Sequence, residues 1–266
     1  MTDLTLRPLP PDELLPAGFP DTDDAISIVA AEQAGQILGA AWLHKPGAAG
    51  DASFRVFVRD NARRCGIGRQ LVRRLAEEAR GRGVLRLCTW FTGERPDVSA
   101  FLAAAGAAPA LDVFEMTYDG APYEEPSFPF DPYRPADYDG VRTLLSAAFL
   151  PLRTAIDVRP HLIPPSEDDR RRLAECADSV FLLRVNGELA GMCGAYDDEV
   201  DDVAVAERFR GRGFAGALVA HATNHILARG KKPQLSVVGW NEGAHALYHR
   251  LGWQDADRSF FWRITL

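Results

Sequence analysis

Arginine and glycine alternate over residues 210–213, which read RGRG and come shortly after an apolar run at 203–205. After this turn, apolar residues recur at helical spacing, at Phe214, Leu218, Val219, Ala222 and Ile226. Glycine lets backbone N–H groups turn toward a ligand, and the N-terminus of a helix adds partial positive charge. The order of strand, loop and helix therefore predicts a site for a phosphate or pyrophosphate group.

The same pattern occurs twice in the chain. Residues 63–72 read RRCGIGRQLV and residues 210–219 read RGRGFAGALV, so both fit R-x-x-G-x-[G/A]-x-x-L-V. In the second copy the motif could also begin at Arg208. We prefer the register that begins at Arg210 because it aligns Leu218 with Leu71. The strand, loop and helix therefore form an internal repeat.

Each helix of the repeat is followed by the same succession of elements. We predict a strand, a helix that ends in glycine, and a closing strand, at 84–91, 101–107 and 111–118 and again at 234–238, 248–253 and 259–266. The second half also holds an additional segment around 140–177, which predicts two helices joined by a proline-containing loop. The proline- and acid-rich stretch at 121–129 separates the halves. We therefore predict two α+β domains, 1–122 and 127–266, each large enough for its own core.

Composition narrows the class of protein. The 266 residues are 47% hydrophobic and 25% charged, with a net charge of −7, which disfavours a nucleic-acid partner. No stretch approaches the ~20 uninterrupted apolar residues of a membrane span. The N-terminal residues lack a basic head followed by an apolar core, so we expect a cytoplasmic protein without a membrane partner. The four cysteines have no metal-ligand spacing, and we predict reduced thiols and no metal site.

A second motif follows the loop of the second half. The residues from Asn241 to Trp253 read NEGAHALYHRLGW and fit N-x-x-A-x-x-x-Y-x-x-x-G-[FW]. Together with the repeated loop, the Asn186-Gly187 turn and the Arg-Pro of each first strand, this motif resembles the GNAT superfamily of N-acetyltransferases. The resemblance covers both halves and nearly the whole chain. The layout of the chain, in which a first half with fewer of these motifs precedes a second half with all of them, is also similar to that of mycothiol synthases.

The resemblance implies a fold and a cofactor. The fold would be α+β, with two tandem GNAT-like domains, each a mostly antiparallel mixed sheet flanked by helices, whose fourth and fifth strands splay apart. Acetyl-CoA, as co-substrate and without a metal, would enter that gap. The implied cofactor-binding residues are Val203, Ala204, Val205, Arg210, Gly211, Arg212, Gly213, Phe214, Ala215 and Asn241.

The resemblance also implies catalytic residues, Tyr248 as proton donor to the leaving thiolate and Glu199 as base. A thioester is attacked only by a neutral amine, and a tyrosine hydroxyl can share a proton with a departing thiolate. In a regular strand Glu199 would share one face with Asp201, Val203 and Val205. The acidic run 197–202 could attract a cationic amine. A solvated acidic hairpin end is the alternative for this run, and core packing is the alternative for Tyr248.

The first half keeps the arginine- and glycine-containing loop but lacks the other candidate site residues of the second half. Tyr248 corresponds to Leu102, Asn241 to Arg95, and Glu199 to Ala52. We therefore expect a catalytic second half and a degenerate first half. The first half could serve as a scaffold, as part of the acceptor site or as a second cofactor site formed by Arg63, Arg64, Gly66, Ile67 and Gly68.

The sequence leaves the acceptor and the assembly open. We expect a small-molecule or peptide amine, with a mycothiol-type cysteinyl amine or an aminoglycoside as minority alternatives. A non-catalytic acyl-CoA sensor or scaffold is the alternative from another class. The assembly would be a monomer, as an internal pseudo-dimer, or a homodimer. The helical histidines His221, His225, His245 and His249 predict surface or packing roles, and His161 could touch the acceptor.

Overall fold

The computed structural model describes residues 3–10, 13–47 and 49–266. The strands are β1 (Thr5–Pro8), β2 (Ala25–Gln33), β3 (Gln36–His44), β4 (Asp51–Val58), β5 (Arg86–Thr92), β6 (Ala108–Thr117), β7 (Phe130–Pro132), β8 (Val180–Val185), β9 (Glu188–Tyr196), β10 (Glu199–Val205), β11 (Gln234–Val238) and β12 (Gln254–Thr265). The helices are α1 (Ile67–Gly81), α2 (Pro96–Ala104), α3 (Tyr138–Ala155), α4 (Glu167–Glu175), α5 (Phe214–Ala228) and α6 (Glu242–Arg250). None of these helices is long and apolar enough to cross a bilayer.

Two compact units divide the chain, Met1–Ala110 together with Phe260–Leu266, and Leu111–Ser259. β6 and β12 therefore each begin in one unit and end in the other. The domain boundaries 1–122 and 127–266, which follow from the repeat in the sequence, stay a prediction. The two units are described separately below.

In the first unit the strands are ordered β1-β2-β3-β4-β5, and the C-terminal residues lie beside β5. The pairs from β1 to β4 are antiparallel, and β4 and β5 are parallel. The N–H of Leu266 donates to the carbonyl of Leu85 at 3.0 Å. Ile264 packs into the same core as Leu71 and Leu75 of α1. The last residues of the chain thus complete the core of the first unit.

In the second unit the strands are ordered β6-β11-β10-β9-β8-β7. Successive residues of β8 point to opposite faces, and Phe181 and Leu183 pack with α5 while Val180 and Leu182 pack with α3 and α4. Asn186 and Gly187 join β8 to β9 with φ of 52° and 83°, so the predicted tight turn is present. The sheet of this unit is therefore covered by α5 and α6 on one face and by α3 and α4 on the other.

Replacing Ile264 by Ala should destabilise the first unit, although the residue lies near the C-terminus. Ile264 is 9% exposed in that core, and truncation of a buried isoleucine typically costs about 2–5 kcal/mol. Hydrogen exchange followed by mass spectrometry should show faster exchange in α1 and β3. Leu235→Ala, in the core of the second unit, is the matched control and should affect α5 instead. Faster exchange in α5 for the Ile264 variant would contradict this division of the chain.

Candidate active site

The loop before α5 presents backbone N–H groups at the start of a helix. Gly211 and Gly213 have φ of 76° and 81°, in the left-handed region that glycine adopts readily. The first helical hydrogen bond runs from the N–H of Ala217 to the carbonyl of Gly213, at 3.1 Å. The N–H groups of Phe214 and Ala215 precede that bond, so they can donate to an anion.

The loop of the first unit has the same backbone conformation. Arg63 has φ −68° and ψ 160°, and Arg210 has φ −64° and ψ 159°. Gly66 and Gly213 both occupy the left-handed region, with φ of 80° and 81°. At the position of Gly211, the first unit holds Arg64 at φ 65°. The structure therefore aligns Arg210 with Arg63, as the preferred register predicts.

The arginine that opens each motif ties the loop to the preceding strand. The Nε of Arg210 donates to the carbonyl of Val205 at 3.2 Å, and the Nε of Arg63 donates to the carbonyl of Val58 at 3.0 Å. A charged donor on a carbonyl makes a stronger bond than a neutral pair. Arg210 thus has a structural role in the loop, and phosphate contact stays a prediction.

The gap between β10 and β11 opens beside this loop. The two parallel strands pair at Glu199 and Gln234 alone among the described residues. Their outer edges are paired along their lengths, β11 with β6 and β10 with β9. The inner edges of residues 203–205 and 235–238 therefore face a cleft, and on that edge the Val205 carbonyl is held by Arg210.

β10 is not a regular strand, because it contains a bulge, so the condition for a shared face is not met. Its pairing with β9 shifts between Asp201 and Ala204, and Asp202 has φ 54°. Val200 and Val205 both pack on the α5 face, which a regular alternation would not allow. Glu199, Asp201, Val203 and Val205 therefore do not share one face.

The bulge turns two neighbouring carboxylates toward one cavity. Asp201 and Asp202 line a cavity of about 170 Å³ on the α3 face of the sheet. Its other lining residues are Arg142, Leu145, Ser146, Phe149, Arg153, His161 and Ile163. Burial and the adjacent Asp201 raise the pKa of Asp202, although Tyr196 donates to its carboxylate at 3.0 Å. The cavity therefore offers acidic groups on the strand side.

Two arginines of the segment that the first half lacks line the same cavity. Arg142 lies on the buried side of α3, and its guanidinium donates to the carbonyl of Ile163 at 3.0 Å. Arg153 donates to the carbonyl of Pro160 at 3.0 Å, and burial lowers its pKa. The sequence motifs that predict the loop give no role to these arginines. The signal for Arg142 is its place at helical spacing among Tyr138, Val141 and Leu145.

Tyr248 and Asn241 lie on the helix that follows the cleft. Tyr248 is 7% exposed, in the core beneath α5 and α6. Burial, and then the Cys193 and Asp201 groups, raise the pKa of its hydroxyl. Asn241 caps α6, since its side-chain oxygen accepts from the N–H of Ala244 at 3.3 Å. The cap explains the asparagine structurally, and its contact with a cofactor stays a prediction.

Glu199 stands at the one position where β10 and β11 pair. The side chain is half-buried, and burial followed by Asp201, Glu115 and Asp198 raises the pKa of its carboxyl. A raised pKa brings a carboxylate closer to the range in which it accepts a proton from an amine. Glu199 does not line the cavity that holds Asp201, so the structure offers two separate carboxylates as bases.

In the first unit, other side chains occupy the positions that correspond to Tyr248 and Asn241. Leu102 is buried where the second unit has Tyr248, and a Cβ on Gly68 would lie 2.8 Å from the ring of Phe101. Arg95 precedes α2 but makes no side-chain cap. The first unit therefore keeps the loop without the hydroxyl and the capping amide.

Comparisons with known proteins agree with this fold. The model of the acetyltransferase (GNAT) family matches residues 3–101 and 141–253. An acetyltransferase of Pectobacterium atrosepticum is 32% identical over 130 residues, which are 47% of this chain and 86% of that protein. Among solved structures, a GCN5-related N-acetyltransferase of Sphaerobacter thermophilus has a TM-score of 0.69 at 20% identity, over 94% of this chain and 82% of that one.

A further solved structure shares the tandem arrangement. A tandem GNAT protein from the clavulanic acid biosynthesis pathway has a TM-score of 0.56 at 19% identity, over 90% of this chain and 82% of that one. The predicted α+β fold with two tandem copies is confirmed by these matches and by the two family-model matches.

Replacing Gly213 by Ala should strain the loop. An L-residue at this positive φ costs about 1–2 kcal/mol, and no atom lies close enough to a Cβ to add a clash. Urea denaturation followed by circular dichroism should show this decrease in the free energy of unfolding. Gly216→Ala is the matched control, because its φ is not positive and its nearest neighbours would be 3.8 Å away. Equal stability of the two variants would contradict the left-handed conformation at Gly213.

Proposed function

Because the chain belongs to the acetyltransferase (GNAT) family, we propose that its second half transfers an acetyl group from acetyl-CoA to a primary amine. The amine would attack the thioester directly while both substrates are bound. The observation that carries the proposal is the cleft between β10 and β11, whose strands lead into the N–H-rich loop and into the helix that carries Tyr248. The first half would be a degenerate copy without a catalytic role.

The cleft fits acetyl-CoA through its backbone. The edge of Val203, Ala204 and Val205 that faces the cleft could pair with the amides of the pantetheine arm as a short ladder. The N–H groups of Gly211, Arg212, Gly213, Phe214 and Ala215 would hold the pyrophosphate at the start of α5. Asn241 keeps its amide hydrogens for the cofactor, because its oxygen is used in the helix cap.

Proton removal from the amine is assigned to a carboxylate of β10. Glu199 is the candidate that follows from the motif, and its raised pKa supports the role. Asp201 is the candidate that the cavity favours, since it lines the space where an acceptor would lie. Backbone N–H groups of the splayed strand would stabilise the oxyanion of the tetrahedral intermediate.

Tyr248 would donate a hydrogen bond to the leaving sulfur. Its raised pKa means that the hydroxyl holds its proton throughout the neutral range. A thiol has an ordinary pKa near 8.5, so complete transfer from such a tyrosine to the thiolate is unfavourable. Hydrogen-bond donation that stabilises the developing negative charge is therefore the role that the electrostatics support.

The cavity suits a small acceptor that carries one positively charged and one negatively charged group. Asp201 and Asp202 would attract the ammonium group, and Arg153 would face an acidic group, whereas Arg142 already pairs with Asp169 at 3.2 Å. A volume of about 170 Å³ corresponds to about six water molecules, at about 30 Å³ each. An amino acid or a similar small amine fits this space better than an aminoglycoside does.

Replacing Tyr248 by Phe should lower kcat more than ~10-fold, because the hydrogen bond to the leaving sulfur strengthens in the transition state. The rate of CoA release from acetyl-CoA, with a panel of amino acids as acceptors, measures kcat. Tyr118→Phe is the matched control, since it removes another buried tyrosine hydroxyl near Trp253 and should leave kcat unchanged. An unchanged kcat in the Tyr248 variant would remove this residue from the mechanism.

Replacing Glu199 by Gln should lower kcat/KM at neutral pH by about 10²-fold or more. The deficit should shrink as the pH rises toward the pKa of the acceptor amine, because the amine then arrives neutral and needs no base. The pH profiles of the two proteins measure this difference. A deficit that is the same at every pH would indicate a structural role. A pH-dependent deficit in Asp201→Asn alone would assign the base to Asp201.

A further inference from the structure

A cluster of metal-ligating side chains on α6 and on the strand after it is separate from the residues of the proposed active site. His245 and His249 are one helical turn apart on that helix, and Asp255 follows on β12 within the second unit. Their ligand atoms all lie within 4.8 Å of one another. We propose that these three side chains bind a divalent transition metal of the Zn²⁺ class.

The distances between the ligand atoms match a tetrahedral site. The Nε2 of His245 lies 3.1 Å from the Nε2 of His249 and 2.8 Å from the Oδ1 of Asp255. The Nε2 of His249 lies 3.4 Å from the same oxygen. Zinc binds imidazole nitrogen at about 2.0–2.1 Å, so two tetrahedral ligands lie about 3.3 Å apart. An ion could therefore be accommodated with small adjustments of the side chains.

The second nitrogen of His249 sets the tautomer that a metal needs. Its Nδ1 lies 3.2 Å from the backbone carbonyl of Trp253, which can only accept a hydrogen bond. Nδ1 must therefore carry the hydrogen, and the Nε2 of the neutral ring turns its lone pair toward the cluster. A metal-ligating histidine is usually held in this way by a carbonyl or carboxylate.

The ring of His245 is held by an aromatic contact. It stacks on Phe114 with a centroid distance of 4.2 Å and an interplanar angle of 19°. His249 and Asp255 are exposed, so water can reach the site and complete the coordination. Two imidazoles and one carboxylate favour zinc, cobalt, nickel or copper over calcium and magnesium, which prefer oxygen ligands.

A second pair of histidines in the same unit provides an internal control. His221 and His225 are also spaced by four residues, on α5. His221 contacts the carboxylate of Glu125 at 3.3 Å, but His225 packs against the ring of Phe181 instead of joining that contact. The spacing alone therefore does not distinguish a metal site, and the convergence of three ligand atoms does.

A bound ion would join α6 to β12. α6 carries Asn241 at its start and Tyr248 between the two histidines. Binding of the ion to the folded protein would stabilise the second unit, because the three ligands converge only in the folded state. This inference does not depend on the proposed transfer reaction, since it concerns a separate set of side chains.

The test uses the full chain without an affinity tag. Calorimetric titration with Zn²⁺ should give one site per chain, and His249→Gln and Asp255→Asn should each weaken that site by at least ~10-fold. His225→Gln should leave it unchanged. Zn²⁺ should also raise the Tm of the wild-type protein and of His225→Gln, and raise it less in the two ligand variants.

Titration with Co²⁺ separates this site from a cysteine site. Tetrahedral nitrogen and oxygen ligands give visible d–d bands, whereas a thiolate adds a near-ultraviolet charge-transfer band. We expect the visible bands without the thiolate band, and their loss in His249→Gln. Three outcomes would overturn the proposal: no Zn²⁺ binding below millimolar concentration, binding that persists in both ligand variants, or a thiolate band.

Discussion

The single pairing position between β10 and β11 is the constraint on which the rest of the second unit depends. Parallel strands usually continue to pair, and here the ladder stops after Glu199 and Gln234. Backbone groups without partners are costly unless water or a ligand satisfies them. The divergence therefore creates a cleft whose walls are backbone donors and acceptors. The N–H-rich loop follows β10 and the helix that carries Tyr248 follows β11, so each of the two strands that border the cleft leads into one of these elements.

The bulge in β10 links this cleft to the cavity on the opposite face of the sheet. One additional residue lets Val200 and Val205 pack toward α5 while Asp201 and Asp202 both line the cavity. The thiol of Cys193 donates to the carbonyl of Asp201 at 3.6 Å, so the core side of the bulge is held from β9. In the proposed function, this bulge would let one strand face the cofactor with its backbone and the acceptor with its side chains. The position of Asp201 near both Tyr248 and the cavity is consistent with that arrangement.

The sequence predicted the repeated elements well because each is specified locally. The glycines of the loop, the Asn186-Gly187 turn and the apolar spacing of α5 determine backbone conformation without distant contacts. The bulge was not predicted, because it depends on the register between β9 and β10 and on the left-handed conformation of Asp202. The cavity was missed for a similar reason, since Arg142 and Arg153 meet the carboxylates only through tertiary packing. The histidine cluster also requires the approach of β12 to α6, and helical spacing alone could not distinguish it from the pair on α5.

The central claim is that the second half binds acetyl-CoA at the loop before α5. Hydrogen exchange with and without acetyl-CoA tests this claim most directly, because one experiment measures the exchange rates of the peptides from both loops. The account predicts that acetyl-CoA slows exchange over residues 203–216 at a concentration that leaves the corresponding residues 56–69 unchanged or less affected. Slower exchange confined to residues 56–69 would contradict the account, because the cofactor would then occupy the half that lacks the tyrosine.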